Sequence, residues 1–266
     1  MNTDIHHPIH TLKRIAKDAG KIVREGFYAS KQITHKGTVD LVTQYDVASE
    51  EFILKQLQMH FREYTLVGEE SNQGDFGADF EKAIYIDPID GTTNFIHGIP
   101  HVAVSIGLYE NGEGIMGVVY NPILDELFWA ARGQGAFCNE QSIHVSNQAA
   151  LQQALIATGF PYSKVNQGAE FHWVMGAMQR MLPHVLDIRR LGSAALDLCN
   201  VARGVMDGYY EISLKPWDAA AGMIIAREAG ATVTGIDGLP CQFTNTTTIA
   251  ANPALHAQIL SRLNAA

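Results

Sequence analysis

The sequence predicts an α/β protein whose first half is of the α+β kind. Three observations carry this. Near the start, apolar residues recur at helical spacing: Ile9, Leu12, Ile15, Ala16, Ala19, Ile22 and Val23. Between residues 101 and 131, three strand-like runs (HVAVSIGLY, GIMGVVY, ELFWAA) are separated by Asn111-Gly112 and Asn121-Pro122, and Asn-Gly is a strong hairpin signal. From about residue 154 onward, short β-rich runs alternate with helical stretches.

Taken in order, the first helix is expected over 8–27. His7 and His10 could share a helix face, but no third ligand lies nearby, so they read as solvated. Residues 36–41, KGTVDL, read as a loop or hairpin. Thr43 opens a second helix, with Asp46 placed for a capping box, that continues to about residue 61. TLVGEES and an acidic, Gly-rich loop to Glu81 follow. AIYI is a strand, and residues 86–95 read IDPIDGTTNF. Pro88 fixes its own φ and biases Asp87 away from helix. The chain is therefore expected to leave the strand at Asp87, turn through Pro88-Ile89-Asp90 and start a helix near Gly91.

The antiparallel meander ends near GQGAFCN, residues 133–139. Gly112, Gly114 and Gly117 form a GxGxxG, but they join strand to strand. A dinucleotide fingerprint needs strand, glycines, then helix. Polar residues at 147–153 suggest a boundary between an α+β half, 1–148, and an α/β half, 149–266. In the second half, ALIATGF, VLDIRR, DGYYEI, ATVTGI and TIAAN read as strands. Helices are expected over 170–182, over 193–203 stopped by Gly204, over 216–229 opened by Pro216 and stopped by Gly230, and over 254–263.

The chain of 266 residues can bury a substantial core. Its net charge of −9 and lack of a dense Lys/Arg cluster argue against a protein built to grip a nucleic-acid backbone. Cys138, Cys199 and Cys241 have no metal or redox spacing. The first residues show no basic-then-apolar pattern, and no apolar run is long enough to span a bilayer. A cytoplasmic location is expected.

Acidic residues carry the chemistry. Glu69 and Glu70 follow a strand, Asp87 and Asp90 flank the turn, and Asp218 lies in KPWDAAAG just inside a helix. Singly, each reads as surface charge, a cap or a favourable first-turn residue. Together, oxygen donors with no Cys and no His trio point to Mg²⁺ rather than Zn²⁺. Two such ions suit an in-line phosphoryl displacement. A helix start near Gly91 would add free N–H groups for phosphate.

IDPIDGTTNF, preceded by GEES and followed by WDAAAG, resembles the inositol monophosphatase family, above all its bacterial suppressor-type members. The likeness runs from KGTVDLVTQYD through RRLGSAALDL to the closing helix. It implies a layered αβαβα sandwich, usually a lithium-sensitive homodimer, that hydrolyses myo-inositol-1-phosphate and similar small polyol monophosphates with an Mg²⁺-activated water. By the same resemblance Glu69, Asp87 and the carbonyl of Ile89 would hold one Mg²⁺, and Asp87, Asp90 and Asp218 a second. A third, weaker ion would lean on Glu69. Gly91 and Thr92 would bind phosphate, and Thr92 with Asp46 would orient the water. Glu211 and Gly192-Ser193-Ala194 would meet the substrate hydroxyls, with Lys36 near the site. Lys215, standing where animal members carry His, would still present a cation to the substrate, beside Asp90 and Asp218, and Ser193 stands where Thr is common. The resemblance leaves two alternatives. One is the same chemistry on fructose-1,6-bisphosphate, 3′-phosphoadenosine-5′-phosphate or histidinol phosphate. The other is a protein-contact role in transcription antitermination.

Overall fold

The chain stacks five layers across four apolar interfaces, and the site is set by how they stack. In the computed structural model, residues 6–35, 41–72, 80–241 and 247–265 are described. The first layer pairs α1 (His6–Tyr28) with α2 (Gln44–His60); between them β1 (Ile33–His35) and β2 (Leu41–Thr43) pair antiparallel around residues 36–40. The second layer is a seven-stranded sheet. It comprises β3 (Thr65–Gly68), β4 (Lys82–Asp90), β5 (Ala103–Glu110), β6 (Glu113–Asn121), β7 (Glu126–Ala131), β8 (Ala136–Cys138) and β9 (Gln141–Ile143), in that spatial order. A short helix, α3 (Thr92–His97), leaves the end of β4. The meander runs one strand further than expected, because Asn139 and Glu140 take positive φ and turn β8 back as β9.

The remaining elements are β10 (Leu155–Thr158), α4 (Ala169–Met181), β11 (Asp187–Arg189), α5 (Ala194–Ala202), β12 (Gly208–Ile212), α6 (Pro216–Glu228), β13 (Thr232–Thr234), β14 (Thr247–Ala251) and α7 (Pro253–Leu263). Helices α5 and α6 form the third layer. The second sheet, ordered β11-β10-β12-β14-β13, is the fourth, and α4 with α7 the fifth. β10 is parallel to both β11 and β12, so these three strands end at one edge.

Strand alternation explains the layering. Ile84 and Ile86 of β4 face α1 and α2, while Ala83 and Tyr85 face α5 and α6. In the second sheet Tyr209 faces the middle helices and Tyr210 faces α7. A helix between two sheets must be apolar all round, and that is why α6 reads PWDAAAGMIIARE, with Ala220 and Ile225 in one interface and Ala219 and Met223 in the next. α6 also lies close on the first sheet: a Cβ on Gly117 would sit 2.6 Å from Ala221 O, and one on Gly107 2.8 Å from the Ala220 Cβ. This contact brings Asp218, at the start of α6, toward the end of β4. Among the described residues no helix is long and apolar enough to cross a membrane.

Candidate active site

β4 corrects the expected exit at Asp87. The strand continues to Asp90, paired there with Ala103 of β5, and the register shifts between the two aspartates. Pro88 has no N–H for the ladder and is accommodated in this irregularity. The Ile89 N–H donates to Asp87 Oδ1 at 3.0 Å, a local turn that orients the carboxylate. Gly91 then takes φ 93, and α3 begins at Thr92. A Cβ at Gly91 would lie 2.9 Å from His101 O and 3.1 Å from Gly192 O, so both backbone and space require glycine.

The middle layer docks onto this corner. Ser193 Oγ donates to Asp90 Oδ2 at 2.6 Å and the Ala195 N–H donates to the same oxygen at 2.7 Å. Ser193 is the N-cap of α5. Asn94 Nδ2 donates to His101 O at 2.9 Å and Leu191 O at 2.8 Å, tying α3 to the turn before α5. Asp218 Oδ2 accepts the Lys215 N–H at 2.7 Å. On the other side, Thr43 and Asp46 form the expected capping box, with the Thr43 N–H 2.8 Å from Asp46 Oδ2. The second oxygen of Asp46 lies 3.2 Å from Thr92 Oγ1, which is also 3.1 Å from Ile89 O.

Glu69 follows β3, and its N–H donates to Ile86 O at 3.1 Å. The loop beyond it rests on Glu50, a buried carboxylate of α2 that accepts the N–H groups of Glu70 and Ser71, each at 2.8 Å. Glu50→Ala strands two N–H groups and is expected to cost about 1–3 kcal/mol. If the cleft holds a divalent cation, the substitution should also raise the cation concentration needed to fill it, because Glu69 loses its support. Denaturant melts and a metal titration check this; an unchanged metal requirement argues against the supporting role.

The structure brings nearly all the expected residues to one cleft. It is lined by Glu69, Asp87, Ile89, Asp90, Gly91, Thr92, Gly192, Ser193, Ala194, Glu211 and Asp218. Asp46 reaches it through Thr92. Lys215 is exposed at the start of α6 and is not among the lining residues. Lys36 lies outside the described residues.

Burial and like charge dominate the electrostatics. Burial, then the charges of Glu69, Asp90, Asp218 and Asp46, push Asp87 well above the usual carboxylate range. Asp218 is pushed well up by burial and then by Glu69 and Asp90. Asp90 is pushed up to about 6 by burial, partly offset by its bonds from Ser193 and Ala195. Glu211 is pushed up to about 7 by burial, partly offset by the Tyr209 hydroxyl, which donates to it at 2.6 Å. Such a set repels itself at neutral pH unless a cation joins it. The donors are all oxygen, the chemistry of a hard cation. Among the described residues no three His, Cys, Asp or Glu side chains form a ready-made chelating group. Mg²⁺ does not need one, since it keeps several waters and shares substrate oxygens.

Sequence reasoning left several residues unassigned. Asn94 sits inside IDPIDGTTNF and Arg190 inside RRLGSAALDL, both quoted motifs, but nothing local shows what they touch. Asp197, buried and 3.3 Å from His101 Nε2, also lines the cleft, as does Lys164. A one-residue glycine signal was available at Gly159, where a Cβ would fall 1.8 Å from Glu211 Oε1.

A five-layered sandwich with a carboxylate cleft at the junction of its first sheet and middle helices defines a phosphoric-monoester hydrolase of layered α/β type. The model of the inositol monophosphatase family matches residues 5–266, and the chain belongs to that family as an inositol-phosphate phosphatase. It is 44% identical over 253 residues to inositol monophosphatase 2 of Solanum lycopersicum, covering 94% of this chain and 95% of that one. It is 40% identical over 252 residues to Nus factor SuhB of Pasteurella multocida, covering 94% and 93%. The crystal structure of extragenic suppressor protein suhB from Bartonella henselae superposes with a TM-score of 0.89 at 36% identity, covering 97% of this chain and 98% of that one.

Proposed function

We propose that the chain is an Mg²⁺-dependent phosphatase of myo-inositol-1-phosphate and similar small polyol monophosphates. The observation that carries this is the set of facing carboxylates Glu69, Asp87, Asp90 and Asp218, whose charges oppose one another in a common cleft. Asp87 and Asp90 are buried, and Glu69 and Asp218 partly so. Glu69, Asp87 and the Ile89 carbonyl are assigned to one Mg²⁺, and Asp87, Asp90 and Asp218 to a second; a third would lean on Glu69. Bound there, the ions supply Lewis-acid polarisation and an acidified water.

The protein's own groups do the rest. The N–H groups of Gly91 and Thr92 bind phosphoryl oxygens. Thr92 Oγ1, held between Asp46 Oδ1 and Ile89 O, orients the attacking water in line with the leaving oxygen. Gly192, Ser193, Ala194 and Glu211 meet the polyol hydroxyls, and Ser193 also fixes Asp90. Lys36 and Lys215 are assigned to the substrate approach. The same reading makes the protein a cytoplasmic, lithium-sensitive homodimer.

The test is phosphate release across inositol-1-phosphate, fructose-1,6-bisphosphate, 3′-phosphoadenosine-5′-phosphate and histidinol phosphate, with Mg²⁺ titrated and Li⁺ added. Inositol-1-phosphate should lead by kcat/KM, and chelator should abolish release. A nucleotide leading by a wide margin overturns the substrate; full activity in excess chelator overturns the metal. A second reading, protein contact with the transcription machinery, is favoured by the relative named Nus factor SuhB. With a net charge of −9 it would act through protein rather than a broad RNA grip. Pull-down of RNA polymerase and its elongation factors by a metal-site variant separates the two roles.

A further inference from the structure

Gly159 is a glycine that its own backbone does not require. It follows β10 outside the left-handed region, so its φ is open to other residues. Space is what requires it. A Cβ there would lie 1.8 Å from Oε1, 1.9 Å from Cδ and 2.1 Å from Oε2 of Glu211, so the carboxylate lies flat against the Gly159 backbone. β10 and β12 are parallel neighbours with Thr158 opposite Tyr210, which brings Gly159 and Glu211 side by side at the carboxyl edge of the sheet. Thr158 Oγ1 ties that edge by donating to Tyr210 O at 2.8 Å.

Tyr209 holds the other side of the carboxylate. Residues two apart on a strand share a face, so Tyr209 and Glu211 both lie on the face of β12 that meets the middle helices. Tyr209 is fully buried there, in the cluster that contains Ala194, Leu198 and Ala219, and close packing leaves its ring one placement. Its hydroxyl donates to Glu211 Oε2 at 2.6 Å, the one hydrogen bond that the Glu211 side chain receives among the described residues. Oε1 takes none from them, and Glu211 lines the cleft. The Tyr209 bond also favours the ionised carboxylate, which is the stronger acceptor. A glutamate pinned between a core hydroxyl and a glycine loses little further freedom when it binds a ligand.

We infer that Tyr209 and Gly159 are positioning residues that hold Glu211 with Oε1 presented to the substrate hydroxyls, and that they thereby set the preference for polyol leaving groups. This rests on the phosphatase reading above and deepens it. Tyr209 fixes one carboxylate oxygen from the core, and Gly159 leaves the room in which the group lies. Neither residue touches the substrate; both act through Glu211.

The experiment compares inositol 1-phosphate with phenyl phosphate, whose leaving group has no hydroxyl for Glu211 to meet, on the full chain with Mg²⁺. The readout is the ratio of the two kcat/KM values. Glu211→Ala should lower this ratio by about tenfold or more, as for loss of a charge-assisted hydrogen bond. Tyr209→Phe keeps the packed ring and should fold. It should lower the ratio by about threefold to tenfold, through KM for inositol 1-phosphate, with kcat and the phenyl phosphate kinetics close to wild type. Gly159→Ala should do the same from the other side of the carboxylate. Neither substitution should lower the ratio further in the Glu211→Ala background, because both act through that side chain. General damage to the fold or to metal binding slows both substrates alike and leaves the ratio unchanged. A wild-type ratio in Tyr209→Phe or Gly159→Ala, beside a fall in Glu211→Ala, overturns the positioning roles and leaves the phosphatase reading intact. So does a further fall in the Glu211→Ala background. An unchanged ratio in Glu211→Ala overturns the assigned contact of Glu211 with the substrate and the inference with it.

Discussion

Asp90→Asn is expected to lower Mg²⁺-dependent kcat/KM by about a thousandfold or more, because on the proposed assignment the several kcal/mol that a metal would contribute to the transition state depend on this carboxylate. Asp90 is the hinge of the site. It closes β4, is assigned to the second ion, and receives both Ser193 Oγ and the Ala195 N–H on one oxygen. Asparagine keeps the shape and can still accept those two bonds through its carbonyl. It also removes a buried charge whose ionisation is already opposed, as its pKa near 6 reports. The variant should therefore fold, and its metal-free form should melt no lower than the wild type. Steady-state kinetics and thermal melts check the two halves of the expectation. Near-normal turnover in a folded variant would falsify the assigned role.

Removing metal should leave a protein that loses stability as pH rises. Four carboxylates of the cleft have their folded pKa above the ordinary value of 3.8 or 4.5: Asp90 to about 6, Glu211 to about 7, Asp87 and Asp218 well upward, in every case chiefly through burial. The folded state therefore holds more protons than the unfolded one between about pH 4 and 7, and linkage makes stability fall as pH climbs through that window. The contribution is complete below the unfolded pKa and is lost as pH passes the folded one. For Asp90 alone the movement from 3.8 to about 6 corresponds to a cost on the order of 3 kcal/mol. On the proposed assignment Mg²⁺ would bind the ionised set and not the protonated one, so it should raise the melting temperature more at pH 8 than at pH 6. Melts in chelator and in Mg²⁺ at both values test this. A metal-free melting temperature that is flat or rising from pH 5 to 8 sinks the account, as does an equal Mg²⁺ effect at both.

Where sequence reading succeeded, the signal was local. The capping box at Thr43 and Asp46, the Gly204 and Gly230 helix stops and the Asn111-Gly112 hairpin each depend on residues a few positions apart. It misplaced the end of β4 because Pro88 looks like a strand terminator from its neighbours alone. The strand survives because β5 pairs across the irregularity, a partner far enough along the chain that no local pattern announces it. Asn94, Asp197 and Glu50 went unassigned for the same reason: their partners are Leu191, His101 and the Glu70–Ser71 backbone, all distant in sequence.

The sequence by itself determined which residues could do chemistry. Two specific motifs and the acids within and around them marked an inositol-phosphate phosphatase, since carboxylate type and short-range spacing are properties of the chain. Tertiary structure alone decided that these acids oppose one another. Asp87 and Asp90 arrive on a sheet, Asp218 on a helix of the next layer, and they meet because glycines at 107 and 117 let α6 lie close on β5 and β6. It also decided that Arg190 and Lys164 face the same cleft, because parallel strands β11 and β10 end at one edge. Burial, and the charge conflict it creates, exists only once the layers have closed.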